Sequence, residues 1–99
     1  MKIFTILGTG WLGFELAKQF KNDYKVKVSS RSEEKMKMYE DEGLFAYILN
    51  ENNLEFLDQL LETDYLFINF PPSKFEDYLT FLNKIYSHQK INKLLLKIF

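Results

Sequence analysis

Ile3-Phe4-Thr5-Ile6-Leu7-Gly8-Thr9-Gly10-Trp11-Leu12-Gly13 decides how the rest of this chain is read. Lys2–Leu7 is nearly all apolar, as a strand buried on both faces of a parallel sheet should be. Gly8 to Gly13 then fit G-x-G-x-x-G, and Trp11 to Phe20 opens an amphipathic stretch. Leu12, Leu16, Ala17 and Phe20 form its apolar stripe, while Glu15, Lys18, Gln19 and Lys21 face water. Strand, glycine turn and helix in this order is the context in which the pattern holds a dinucleotide by its pyrophosphate. Gly8 permits the tight turn out of the strand. Gly10 leaves room for the anion to approach backbone, and Gly13 lets the helix pack close to the sheet. N–H groups around Gly10, Trp11 and Leu12 point at the anion, and the helix dipole adds to their pull. Three of the chain's four glycines stand in this one motif, which weighs against a turn without a ligand. Gly8, Thr9, Gly10, Trp11, Leu12 and Gly13 are therefore the first expected contacts.

Elements alternate beyond the motif. Asn22-Asp23 ends the first helix, and Lys25–Ser29 is a short second strand. Its Val26 and Val28 alternate with lysines, which suggests a less buried position. Ser30 or Ser32 can cap the next helix, with Glu33 and Glu34 in its first turn, Met36 and Tyr39 inward and Gly43 as the stop. Leu44–Leu49 reads as strand three and Asn50–Asn53 as a polar turn. Leu54, Leu57, Leu60 and Leu61 stripe a third helix, and Tyr65–Phe70 is strand four, broken by Pro71-Pro72. Ser73 and Glu76 form a capping box. Phe75, Tyr78, Leu79, Leu82, Ile85 and Tyr86 stripe helix four, and Leu94–Phe99 is a fifth strand. This alternation predicts an α/β Rossmann-like three-layer fold, a parallel sheet of about five strands with helices on both faces. The expected strand order is 3-2-1-4-5, with the ligand crevice where the order reverses, at the carboxyl ends of strands one and four.

The end of strand two refines the ligand. An NAD site usually places an acid there, about 20 residues past the glycines, to bind the ribose 2′-hydroxyl. This chain reads Ser29-Ser30-Arg31-Ser32, and Arg31 is its only arginine against twelve lysines. A guanidinium can grip a 2′-phosphate bidentately, and the hydroxyls of Ser30 and Ser32 can add donors. NADP is thus favoured over NAD, with Glu33 and Glu34, further on, as the acidic alternative. Topology adds Leu49-Asn50 near the adenine edge, and Asn69-Phe70-Pro71-Pro72 where the middle of the cofactor passes.

Composition sets the outer bounds. The 99 residues suit one compact domain, and 46% hydrophobic content with 17% aromatics is core-forming rather than disordered. A formal net charge of −1 with interspersed signs offers no nucleic-acid or membrane surface. There is no cysteine, so disulfide and thiolate chemistry are excluded, and a reducing cytoplasmic setting is the expectation. The apolar start ends at Leu7 in glycines, without a small-residue cleavage site, so it reads as a strand and not a signal peptide.

No catalytic constellation accompanies the binding motif. Tyr86-Ser87-His88-Gln89-Lys90 matches Y-x-x-x-K. It falls at the end of helix four, before strand five, where the helix runs away from the crevice. The lone histidine, His88, lies in the same segment. No metal-ligand cluster, nucleophile elbow or carboxylate pair stands out.

Leu7–Gly13 followed by Glu15-Leu16-Ala17-Lys18, together with Ser29–Lys35 and Phe67–Pro72, resembles the extended short-chain dehydrogenase/reductase superfamily. The likeness is to its NAD(P)-dependent epimerase/dehydratase type, and to bacterial nucleotide-sugar epimerase-like proteins within it. Members are about three times longer, and carry their catalytic Tyr and Lys and their substrate region beyond strand five. The resemblance implies that residues 1–99 are the NAD(P)-binding part of an epimerase- or reductase-like enzyme, binding NADP(H) without the acid/base residues. Two other readings stay open: a non-catalytic dinucleotide-sensing module, and the N-terminal domain of a β-hydroxyacid-dehydrogenase-like oxidoreductase. The stripe of helix four (Phe75, Tyr78, Leu82, Tyr86) packs on the sheet or forms a homodimer surface.

Overall fold

The computed structural model describes residues 1–50, 52–69, 83, 87 and 93–96. In chain order the elements are β1 (Ile3–Leu7), α1 (Gly10–Phe20), β2 (Lys25–Ser30), α2 (Glu33–Asp41), β3 (Phe45–Ile48), α3 (Leu57–Leu61), β4 (Tyr65–Ile68) and β5 (Lys93–Leu96). The sheet has five strands in the order β3-β2-β1-β4-β5, and every neighbouring pair is parallel. The expected architecture and strand order are those observed. β5 begins at Lys93, one residue before the expected Leu94, and α1 begins at Gly10 rather than Trp11. The stripe of helix four, the Tyr86/Lys90 pair, His88, Phe70 and Pro71 lie outside the described residues, so the homodimer surface does too.

Period-two alternation divides the sheet's side chains between two cores. Phe4, Ile6, Val26 and Val28 face α1 and α2, where Ala17, Tyr39 and Leu44 complete a buried cluster. Leu7, Leu66 and Ile68 face α3 and meet Leu57, Leu60 and Leu61. An isolated five-residue helix is unstable in water. Full burial of those three leucines, worth about 1.5–3 kcal/mol each, is what holds α3 in place. Leu54, expected in the same stripe, lies before the helix and is exposed.

Strand β2 corrects one expectation. Its lysine alternation suggested a less buried position, yet β2 lies between β1 and β3, and Lys27 is buried. The Lys27 ammonium donates to Gln59 O at 2.7 Å and Glu62 O at 2.9 Å. These are carbonyls at the end of α3, where a helix leaves acceptors unpaired and favours a cation. The residue that looked solvated is therefore the cap of α3. Burial pushes its pKa below the usual lysine value, and Lys25 pushes the same way, against Glu62.

The amino ends of the strands are fastened by aromatic rings. Phe4 meets Phe20 in a tilted contact at 4.9 Å between centroids, and Tyr24 meets Phe4, Phe20 and Tyr65 at 5.8–5.9 Å. Phe20 is the last residue of α1, so this cluster anchors the helix at its carboxyl end. Phe14 adds a ring contact to Tyr39 of α2 at 5.2 Å. Asp64 and Thr63 pin the start of β1: Ile3 N–H donates to Asp64 Oδ2, and Ile3 O accepts from Asp64 N–H and Thr63 Oγ1. Held at that end, α1 presents its amino end at the carboxyl ends of the strands.

Candidate dinucleotide site

The carboxyl ends of β1, β2, β3 and β4 carry the residues singled out from the sequence. Gly8 leaves β1 at φ +75° and Gly10 starts α1 at φ +47°, both in the region that favours glycine. A Cβ on Gly10 would meet no atom of the described residues within 4 Å, so among them the space above this backbone is open. A Cβ on Gly13 would lie 3.1 Å from Ile6 Cγ2, which gives this glycine the packing role expected of it. Trp11 is exposed and Leu12 half-buried on the first turn.

Thr9 occupies the N-cap position of α1 without capping it. Its hydroxyl donates to Ser29 O at 2.6 Å instead. No acidic residue stands in the first turn either. A helix start has amide N–H groups with no partner inside the helix. Among the described residues neither a side-chain cap nor a first-turn carboxylate takes them, and an anion is the natural complement.

Ser29 is the residue that sequence reasoning undervalued. Its Oγ accepts the Gly8 N–H at 2.8 Å, and its carbonyl takes the Thr9 hydroxyl. It thus locks the glycine turn to the end of β2. The spacing of a serine at that strand end was visible, but the turn it would meet was not.

Ser30 is buried, and its hydroxyl donates to Ser32 O at 2.7 Å within the turn. Ser32 is the N-cap of α2, its Oγ accepting from Lys35 N–H at 3.2 Å. Arg31 is exposed between them. Asn50 holds a tight turn: it exchanges both backbone hydrogen bonds with Asn53, and its Oδ1 accepts from Asn52 N–H. Its Nδ2 reaches Arg31 O at a long 3.5 Å, linking the ends of β2 and β3.

Across the crevice, Asn69 follows β4. Its N–H donates to Leu7 O at 2.8 Å, and its Nδ2 to Gly8 O at 3.2 Å. The Gly8 peptide groups are therefore held by side chains from both flanking strands, Ser29 on one side and Asn69 on the other. Among the described residues no helix is long and apolar enough to cross a membrane. No group of three or more His, Cys, Asp or Glu there could hold a metal ion.

This fold recurs in solved structures of low sequence identity. The TrkA-N domain of the inner membrane protein ybaL from Escherichia coli matches with a TM-score of 0.59 at 16% identity, over 96% of this chain and 87% of that one. Dipicolinate synthase from Bacillus subtilis matches with a TM-score of 0.63 at 19% identity, over 98% of this chain. Dipicolinate synthase from Bacillus halodurans matches with a TM-score of 0.63 at 17% identity, over 99% of this chain. The chain spans 37% and 39% of those two synthase chains. No curated protein matches the chain. The family described as "NADP oxidoreductase coenzyme F420-dependent" matches residues 3–95. The chain belongs to that family, as a pyridine-nucleotide-binding domain of Rossmann type.

Proposed function

We propose that this chain binds NADP(H) in the crevice at the carboxyl ends of β1, β2 and β4, as the cofactor-holding part of an oxidoreductase. Gly8 to Gly13 take the pyrophosphate, with backbone N–H groups of Gly10, Trp11 and Leu12 as donors. Arg31 takes the 2′-phosphate, with the Ser32 hydroxyl beside it, while Ser30 and Asn50 hold that turn in shape. Phe70 and Pro71 are assigned to the middle of the cofactor from the sequence order alone. The observation that carries this reading is Arg31, exposed at the end of β2 where an NAD site presents an acid. The open backbone at Gly10 and the uncapped start of α1 fit the pyrophosphate of the same ligand.

When bound, the nicotinamide supplies hydride transfer. The protein's share is to bind it, orient it and fix its register along the crevice. The family match favours the oxidoreductase reading over the nucleotide-sugar epimerase one suggested by the glycine motif. Its description names both NADP and coenzyme F420, and the features at the β2 end address NADP. The sensing-module reading is disfavoured by the missing acid at that same strand end.

A titration tests the proposal. Trp11 is the only tryptophan and sits on the first turn of α1, so its fluorescence reports occupancy of the crevice. A charge-assisted contact worth about 1.5–3 kcal/mol corresponds to roughly ten- to a hundredfold in affinity. NADPH is expected to bind more tightly than NADH by such a factor, and Arg31→Ala to remove the difference. Equal binding of the two cofactors, unchanged by Arg31→Ala, would overturn it.

A further inference from the structure

β3 stands at one edge of the sheet, with β2 as its one neighbour among the described residues. Leu44 to Leu49 is an uncharged run without proline or glycine, a composition that edge strands of natural proteins avoid or cover. The surface around it is apolar as well. Five large apolar side chains are exposed among the described residues, and three of them, Met38, Phe45 and Leu54, lie in β3 or in segments packed on it. Met38 belongs to α2, which packs chiefly on β3 from one face of the sheet. Leu54 comes two residues before Phe56, whose ring meets Tyr47 of β3 at 6.2 Å on the other face.

The backbone decides which groups of this edge face outward. Leu49 N–H donates to Ser30 O at 2.8 Å, so Leu49 turns its peptide groups towards β2. Alternate residues of a strand point these groups to opposite sides. Phe45 and Tyr47 therefore bond to β2 as well, while Ala46 and Ile48 turn N–H and C=O away from the sheet. The two flank Tyr47 symmetrically. A second β3 laid antiparallel about a two-fold axis at Tyr47 sets Ala46 opposite Ile48 of the second copy, and Ile48 opposite its Ala46. Each such pair exchanges both N–H···O bonds, which satisfies every outward group of these residues. Tyr47 then stands opposite Tyr47 of the second copy as the closer, unbonded pair between them.

Charge complementarity selects a second copy as the occupant. Lys25 holds its ammonium 4.8 Å from the centroid of the Phe45 ring, at the amino end of β3. Glu55 is exposed in the segment that follows the carboxyl end of β3, next to Phe56 on the same face as Phe45. Antiparallel pairing brings the amino end of one β3 beside the carboxyl end of the other. Lys25 of each copy then comes beside the Glu55 segment of its mate. We propose that the chain forms a homodimer by antiparallel pairing of β3 with β3, which joins the two sheets into one. A stable interface buries about 1,200 Å² or more in total. Two short strands fall short of that by themselves, and Met38, Phe45 and Leu54 on the two flanks add the apolar area. The dimer does not depend on the cofactor reading.

Sedimentation equilibrium of the intact chain over a range of concentrations tests this. The wild type should show a monomer–dimer equilibrium. Ala46→Pro removes one outward N–H from each copy and leaves the ladder to β2 its donors. It should weaken dimerisation roughly ten- to a hundredfold. Phe45→Lys, a change at an exposed position, replaces it if a melting curve shows that the proline variant does not fold, and should also weaken the dimer. Lys25→Glu should weaken it about two- to tenfold, and adding Glu55→Lys should restore it. Damage within one copy would not be repaired by that second change. A wild type that stays monomeric at every concentration overturns the inference. So does a dimer that the strand variants leave as tight as wild type, or a charge reversal at Lys25 that Glu55→Lys does not rescue, because the copies then meet elsewhere.

Discussion

The Gly8 N–H donates to Ser29 Oγ at 2.8 Å, and this one bond joins the glycine turn to the strand end that carries Arg31. The Thr9 hydroxyl reinforces it from the same turn by donating to Ser29 O. The glycine turn and the strand end before Arg31 are therefore set relative to each other by Ser29, a residue that needs no contact with a cofactor.

Replacing Ser29 by alanine leaves the Gly8 N–H without its acceptor, at a cost of about 1–3 kcal/mol. The Thr9 bond survives, because it uses the Ser29 backbone. NADPH and NADH should weaken together in Ser29→Ala, with their ratio unchanged. Arg31→Ala should change the ratio instead. Fluorescence titrations of both variants with both cofactors distinguish positioning from recognition.

The two helix glycines should fail in different ways. Gly13→Ala puts a Cβ 3.1 Å from Ile6 Cγ2, an overpacking that costs about 1–3 kcal/mol. The melting temperature should fall by roughly 4–8 °C for each kcal/mol lost in a domain of this size. Gly10→Ala meets no atom of the described residues, so its penalty in the free protein is the left-handed φ of +47°, about 1–2 kcal/mol. Its added methyl stands where the pyrophosphate is proposed to sit. NADPH affinity should thus fall further than the melting temperature alone implies, whereas Gly13→Ala that still folds should retain more of it.

Lys27 gives a stability prediction with a definite sign in pH. Desolvation lowers its pKa in the folded chain from the ordinary 10.5. Between the folded and unfolded values the unfolded chain binds more protons, so this group's contribution to stability rises as pH climbs through that window. It is complete above 10.5 and is lost as pH falls through the folded value. Lys27→Met should destabilise the protein by leaving Gln59 O and Glu62 O without their donor. Its deficit against wild type should grow as pH rises from neutral towards 10.5. Tyr39, whose pKa burial raises, pulls the other way near its ordinary value of 10.0 but is common to both proteins. Urea midpoints across that range check the trend, and a deficit independent of pH would count against it.

Much of the site was legible in the order of residues alone. The glycine spacing carried the turn, the crevice and the role of Gly13, because those depend on backbone conformation and on the absence of a side chain. The cap of α2, offered as Ser30 or Ser32 and found to be Ser32, and Gly43 as its stop were equally local, the latter now seen at φ +86°. The Val/Lys alternation of β2 misled, because a lysine carries both a long apolar stem and a charge. Only a helix end placed above the strand decides which part of it dominates.

The succession of apolar runs, turns and glycines in the chain determined by itself that this is a parallel α/β domain with a glycine turn between its first strand and first helix. Those signals act over a few residues and survive without knowledge of neighbours. Tertiary structure alone decided that Ser29 and Asn69 grip Gly8 from opposite sides, that Ser30 turns inward, and that Lys27 caps α3. Each of those roles joins residues that are distant in sequence or not paired by any periodicity, through hydrogen bonds of about 3 Å. A bond of that length exists only once the strands are laid side by side.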